Sequence, residues 1–405
     1  MSSVLSKYFS GIGAKRLSEV EIEPTTSNQH EFNGISDFKK IFGTEKINFK
    51  GHFIYLADNE ERIAKDSGTL TWYDARENHP KRTEYRLYYS TNQVVNKAVT
   101  GDLVVIGRTG NNNLVVIVAE QGSTSEQQLL WLFGLEEVAN YFIVRDFNEE
   151  DIKLSYAGNF IITSLGFEIP ETAPDFLDDL IRNFGKDFPT SLRFSEYARS
   201  TLSEASPIYE PDNTLIAWLE REELLFKTLE KHIVAEKLAK GFGINGTDVD
   251  EFVSYSLSIQ NRRKARAGLA FENHLAFIFG SHHISFSKGA RTERNNKPDF
   301  IFPDIQNYHT PGFPHHLLTM LGVKTTAKDR WRQVLSEADR ITNKHLITLE
   351  PAISENQTTE MAAQNLQLVL PQPLMSTYSE DQQRAIQTLS EFIAIVLDRQ
   401  KRING

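Results

Sequence analysis

Asp299 opens the apolar run PDFIF, and Lys324 closes a second one, TMLGVK. Two neighbouring strand ends that present a carboxylate and an ammonium at one point suit metal-dependent phosphodiester chemistry. The carboxylate binds Mg2+, the metal polarises the scissile phosphate and lowers the pKa of an attacking water, and the lysine orients that water or offsets phosphate charge. Such sites ordinarily carry a second acid two residues before the lysine, and here that position is Gly322. Glu337 can supply the missing carboxylate. The stretch KDRWRQVLSEADRI (328–341) predicts a helix with Trp331, Val334, Leu335, Ala338 and Ile341 as its buried stripe, which leaves Glu337 on the side of Arg330 and Gln333. Two plainer readings stand beside this one: a strand-end turn with a surface lysine, and a solvated helix acid paired with Arg340.

The basic residues are unevenly placed. Arg262, Arg263, Lys264 and Arg266 stand almost together, and Lys324, Lys328, Arg330, Arg332 and Arg340 form a second group, in a chain of formal charge −10 at pH 7. That sum argues against a generic nucleic-acid coat protein, but not against a DNA enzyme that concentrates its cations in one cleft. The 262–266 cluster suits phosphate contacts, which give affinity and salt dependence without sequence information. His309, His315 and His316 lie in NYHTPGFPHH, where several prolines and no cysteine favour a solvated loop over a transition-metal site. Gly11 and Gly13 in GIGAK lack the third glycine and the preceding strand of a dinucleotide motif, and no hydrolase serine elbow occurs. The absence of cysteine excludes disulfides, thiolate zinc sites, iron–sulfur clusters and cysteine nucleophiles, and fits a reducing cytoplasm. No apolar block approaches the ~18 residues of a membrane span, and MSSVLSKYFSGIGAKRL lacks a signal-peptide core, so a soluble protein is expected.

These residues need a frame, and 405 residues at ~100–200 per domain suggest two or three domains. The first half reads as mostly β. Short aromatic and β-branched runs recur at 51–58, 70–76, 83–90, 102–108 and 114–120, with TGNNN (109–113) as a turn between the last two. Helical pieces, SEQQLLWLF and ETAPDFLDDLIRNF, close this part, and the turn-rich 185–191 suggests a boundary. Beyond it, 213–240 has helical spacing, and LAFENHLAFIFG predicts a further helix. Strands PDFIFPD, HLLTMLGVKTT, KHLITLEP and LQLVLP then alternate with the 328–341 helix before a last helix, SEDQQRAIQTLSEFIAIVL. This alternation implies a mixed sheet flanked by helices.

Three blocks of the second half resemble a known family: NRRKARAG (261–268) followed by FENHL, NKPDFIFP (296–303), and above all VKTTAKDRWRQVLSEADRI (323–341). They look like the catalytic domain of EcoRII-like type II (IIE) restriction endonucleases, within the PD-(D/E)XK nuclease fold, and a carboxylate moved from strand to helix is a feature of that group. The resemblance implies that Asp299, Lys324 and Glu337 form the catalytic core, with Mg2+ on Asp299 and Glu337. It adds Glu272 as a further acid on a preceding helix and Tyr308 as a tyrosine near the active site, although a loop tyrosine with a buried ring would look the same. Lys328, Asp329 and Arg330 resemble the triplet with which related enzymes read a CC:GG half-site. Aspartate accepts from cytosine N4, while lysine and arginine donate to guanine O6 and N7.

The first half resembles the B3-like, DNA-binding pseudobarrel of the same enzymes through KRLS (15–18), SNQHEFNG (27–34), and WYDAR with KRTEYR (72–76, 81–86). Its implied contacts to a second, effector DNA are Arg16, Gln29, His30, Arg76, Lys81 and Arg82. The resemblance thus implies an effector domain over 1–180, a linker over 181–190 and an α/β endonuclease domain over 191–405. It also implies a site-specific deoxyribonuclease acting on double-stranded DNA, with 5′-CC(A/T)GG as the best single site. A homodimer, a cognate DNA methyltransferase as genetic partner, and a bacterial or archaeal cytoplasm complete the expectation. The rival is a non-catalytic DNA-binding protein that works through its β-rich domain. Retention of Asp299, Lys324 and Glu337 together favours the enzyme, since a binding module has no need of all three.

Overall fold

The apolar runs 102–108 and 114–120 form strands that are buried on both faces, while the three runs before them alternate between buried and open positions. The computed structural model describes residues 4–22, 30–32, 36–110, 112–147, 152–169 and 173–404. The chain divides into two units, Met1–Ile169 with Pro351–Gln357, and Pro170–Glu350 with Thr358–Gly405. The first unit holds β1 (Gly11–Arg16), β2 (Glu31–Phe32), β3 (Ile47–Leu56), β4 (Ala64–Asp74), β5 (Tyr85–Tyr89), β6 (Leu103–Arg108), β7 (Asn113–Ala119) and β8 (Ile143–Asp146). They make one sheet in the order β2-β5-β4-β3-β7-β6-β1-β8, antiparallel except for the β3–β7 pair. The alternation of side chains explains the unbroken apolar runs. Val104, Ile106, Val116 and Val118 enter one core with Phe49 and Trp72, while Val105, Val115 and Ile117 enter a second core with Leu129 and Phe133. Gly13 is fixed by the first core: a Cβ there would lie 2.1 Å from the Phe38 ring. The glycines of GIGAK are packing residues of a strand.

In the second unit, β9 (Ser287–Lys288), β10 (Phe300–Phe302), β11 (Thr319–Lys324), β12 (Lys344–Thr348), β13 (Leu366–Leu370) and β14 (Gln387–Thr388) form a mixed sheet in the order β14-β13-β12-β11-β10-β9. The β9–β10–β11 pairs are antiparallel and the β11–β12–β13–β14 pairs parallel. Among the helices of this unit are Pro211–Lys240, Val249–Ser281 and Leu389–Asn404. Phe279 of the second packs edge-on against Phe300 and Phe302, which also meets Phe392 of the third.

Three helices differ from the sequence expectation. LAFENHLAFIFG is the end of the 33-residue helix that starts at Val249 and carries the basic cluster along its middle. The last helix is two, Glu380–Ala385 and Leu389–Asn404, with β14 between them. Asp212 fixes the second start by accepting from the N–H groups of Leu389 and Ser390, each at 3.0 Å. The 328–341 stretch is helical only over Trp331–Leu335, after a 3-10 turn at Lys328–Arg330. Its buried stripe survives at Trp331, Val334, Ala338 and Ile341. Ala338 takes φ +50, a left-handed conformation that ends the helix, so Glu337 stands in a turn.

Candidate active site

Antiparallel pairing of β10 and β11 sets Phe300 opposite Leu321, which brings Asp299, one residue before β10, beside the end of β11. Asp299 Oδ2 accepts from the Val323 N–H at 2.6 Å and lies 3.3 Å from Lys324 Nζ. The carboxylate and ammonium are each mostly covered, at 19% and 17% exposure, and still open to one side. No acid can occupy position 322 in this frame, because a Cβ on Gly322 would sit 2.8 Å and 3.0 Å from the two methyls of buried Val334. The short helix fills the space that the usual second acid would use.

Glu337 supplies a carboxylate from the turn after that helix. Burial, and the nearby charge of Asp299, push its acid up to about 7 against the pull of Lys324 and Lys344. Its Oε2 is buried with no hydrogen-bond partner. Glu272, on the 249–281 helix, is likewise pushed up by burial and by Asp299, while Lys288 holds its Oε2 at 3.2 Å. A half-buried site in which the charge of Asp299 raises two neighbouring acids, with one carboxylate oxygen unsatisfied, fits a cation. Among the described residues no three His, Asp or Glu side chains gather closely enough to hold a metal by themselves. Two carboxylates with water and phosphate oxygens completing the shell is the usual manner of Mg2+.

The turn that carries Glu337 is clasped from 293–296 and from Tyr308. Asn296 Nδ2 donates to Ser336 O at 2.6 Å, the Asp339 N–H donates to Glu293 Oε2 at 3.2 Å, and Arg294 pairs with Asp339 at 2.5 Å. Tyr308 is fully buried, and its hydroxyl donates to Glu293 Oε2 at 2.6 Å while accepting from the Arg340 N–H at 3.3 Å. The structure therefore places Tyr308 as a brace behind the Glu337 turn. Lys344, also buried, opens the strand behind it. The sequence reading missed Glu293, Asn296, Lys288 and Lys344. The last had a visible signal, a charge opening an otherwise apolar strand.

Arg330 is exposed and Lys328 half-buried on the turn after β11, while the Asp329 side chain lies outside the described residues. The basic cluster divides. Arg262 is exposed and stacks on the Phe188 ring at 4.3 Å, and Lys264 is exposed. Arg263 instead pairs with Glu230 at 2.6 Å. Arg266 is buried against fully buried Glu222 and against Glu223, so its guanidinium is already spent within the fold. His309 and His315 hydrogen-bond to the Arg291 and Arg340 carbonyls.

In the first unit, Lys81 and Arg82 are exposed on the turn between β4 and β5. Arg76 pairs with Glu84 at 2.5 Å, and Arg16 with the buried Glu126 at 2.5 Å and with Gly101 O at 2.9 Å. The His30 ring lies 3.3 Å from Thr91 Oγ1. Gln29 lies outside the described residues.

Comparison with known proteins adds relatives to this geometry. The chain is 41% identical over 208 residues to the type II restriction enzyme EcoRII of Escherichia coli, 51% of this chain and 50% of that protein. The match thus spans about half the length of the curated relative. Among solved structures, it is similar to metal-depleted Ecl18kI in complex with uncleaved, modified DNA, with a TM-score of 0.47, 18% identity, and coverage of 58% of this chain and 87% of that one. It is also similar to the restriction endonuclease PspGI in its substrate DNA complex, with a TM-score of 0.45, 15% identity, and coverage of 55% and 95%. The family model described as EcoRII C terminal matches residues 226–393, the stretch that carries Glu272, Asp299, Lys324 and Glu337.

Proposed function

We propose that the chain is a Mg2+-dependent, sequence-specific type II restriction endonuclease that hydrolyses phosphodiester bonds of double-stranded DNA at a CC…GG site, with 5′-CC(A/T)GG the best single candidate. The observation that carries this reading is the meeting of Asp299, Lys324 and Glu337 at one end of the sheet, with an unpartnered carboxylate oxygen facing like charge. Asp299 and Glu337 would hold Mg2+, which when bound polarises the phosphate and makes water a nucleophile near neutral pH. Lys324 orients the attacking water and offsets the charge that builds on the phosphate. Glu272 adds a further carboxylate beside Asp299, and Tyr308 keeps the Glu337 turn in place. Lys328, Asp329 and Arg330 read the bases, and Arg262 with Lys264 holds phosphates.

The first unit is proposed as a B3-like pseudobarrel that binds a second, effector copy of the site, with the exposed Lys81 and Arg82 among its contacts. A homodimer, a partner methyltransferase and a bacterial or archaeal cytoplasm belong to the same reading. No helix among the described residues is long and apolar enough to cross a membrane. The test is digestion of a plasmid of known sequence in Mg2+, with the cut ends mapped. Staggered cuts at one CC…GG sequence are expected, and Asp299→Ala should bind that sequence without cutting it. Near wild-type cleavage by Asp299→Ala would refute the site.

A further inference from the structure

Glu350 stands two residues beyond β12 and is fully buried. Its Oε2 accepts from two successive backbone N–H groups, Ala327 at 2.6 Å and Lys328 at 3.1 Å. A buried carboxylate is costly unless its oxygens are satisfied, and two amides of one turn converging on it satisfy it with charge-assisted bonds. The backbone of Glu350 is fixed as well. Its N–H donates to Thr348 Oγ1 at 3.2 Å, and its carbonyl accepts from the Tyr378 hydroxyl at 2.6 Å. Thr348 Oγ1 in turn donates to Thr325 O at 3.5 Å. The end of β12 thus grips the loop that leaves β11 at residues 325, 327 and 328.

That loop runs from Lys324 to Lys328, Asp329 and Arg330. Lys328 has φ +27, a conformation that a residue with a side chain keeps only where its surroundings over-determine it. The two bonds to Glu350 and the full burial of Ala327 are such surroundings. We infer that Glu350 is a positioning residue for sequence readout: its carboxylate holds the turn whose next side chains reach the bases, and so sets discrimination between sites without touching DNA. This rests on the reading of 328–330 as the base-reading triplet. Release of the turn moves the triplet while β11, held by β10 and β12, keeps Lys324 beside Asp299.

The experiment measures kcat/KM of the full chain in Mg2+ on a duplex with the mapped wild-type site, and on duplexes with one base pair of that site changed. The proteins are wild type, Glu350→Ala, Glu350→Gln, Arg330→Ala and the two double variants. Glu350→Ala should lower the ratio of cognate to substituted cleavage by about tenfold, the scale of one lost charge-assisted hydrogen bond. Glu350→Gln should lose less, because its amide oxygen still accepts without the charge. In the Arg330→Ala background the further loss should fall below about twofold, since residues that act through one another are not additive. A folded Glu350→Ala or Glu350→Gln with wild-type discrimination overturns the inference, as do losses that multiply independently of Arg330→Ala. If Glu350→Ala does not fold, Glu350→Gln carries both arms. A wild-type protein with no preference among duplexes would remove the functional reading itself, whereas a discriminating wild type matched by its Glu350 variants removes only this inference.

Discussion

Replacing Gly322 by alanine tests why the second acid of this site stands at 337. The new Cβ would lie 2.8 Å from one methyl of Val334 and 3.0 Å from the other, closer than such carbons approach, and Val334 is fully buried with nowhere to retreat. Gly322 lies in an ordinary strand conformation, so alanine would otherwise stabilise by about 0.4–1 kcal/mol through the unfolded chain. Overpacking a filled core costs about 1–3 kcal/mol. The net expectation is a loss of about 0.5–2 kcal/mol, read in the intact protein as roughly 2- to 30-fold faster amide exchange in β11 peptides. Val334→Ala alone removes two buried methyl groups at ~0.8 kcal/mol each and leaves a cavity. In that background the clash is gone, and Gly322→Ala should turn from destabilising to neutral or stabilising. Hydrogen exchange by mass spectrometry across the four proteins measures this sign change. Additive effects, or a harmless Gly322→Ala in the wild-type background, would refute the steric account. The functional corollary is that Gly322→Asp with Glu337→Gln should stay inactive until Val334 is also cut back.

Glu337 makes stability depend on pH in metal-free buffer. Its folded-state acid is held at about 7 against an ordinary 4.5, so its contribution is fully present below about pH 4.5 and is lost as pH rises through about 7. The thermal midpoint of wild type should therefore fall relative to Glu337→Gln over that window, and parallel profiles would refute the burial argument. Arg266→Ala takes the guanidinium from buried Glu222, leaving it only His274 Nε2 at 2.9 Å, and should cost about 3 kcal/mol of stability, seen as a lowered unfolding midpoint. A stable Arg266→Ala with weakened DNA binding would return Arg266 to the phosphate cluster. Arg262→Ala should weaken all duplexes alike and reduce the salt slope by about 0.9, whereas Arg330→Ala should cost about 1–3 kcal/mol of discrimination at one guanine. Equal losses on cognate and random duplexes for Arg330→Ala would make it a backbone contact.

Among the strands of the first unit, β6 and β7 are the most legible, because each is an apolar run closed by turn residues and its two buried faces leave no polar alternation to misread. The strand order is not legible, since the parallel β3–β7 pair joins runs separated by β4, β5 and β6. β14 escapes for a different reason. It is two polar residues, Gln387 and Thr388, and the break that frees them from a helix is set by Asp212, 177 positions earlier in the chain. The place of Glu337 is likewise settled by tertiary partners: the apolar stripe predicts one helix to 341, while Asn296 and Glu293 hold the 336–339 turn that ends it. Local pattern named the residue, and long-range hydrogen bonds placed its carboxylate.

The basic cluster shows what more the pattern could have given. Charges at 262, 263, 264 and 266 look alike in a list of residues, yet a helix turns Lys264 to the side opposite Arg266. Of the apolar residues just before them, Leu257 and Ile259, Ile259 is the buried one. Seven positions later on the same face comes Arg266, and four after that Ala270, both buried, with Asn273 and His274 continuing the stripe. The inward face was therefore written in the register from Ile259. Arg266 and Arg263 both fall on its register, and both find carboxylates on the neighbouring helix, Arg266 with Glu222 and Glu223 and Arg263 with Glu230. Arg262, at the rim of that stripe, and Lys264, opposite it, stay in solvent, which is why they, and not Arg266, can meet a phosphate.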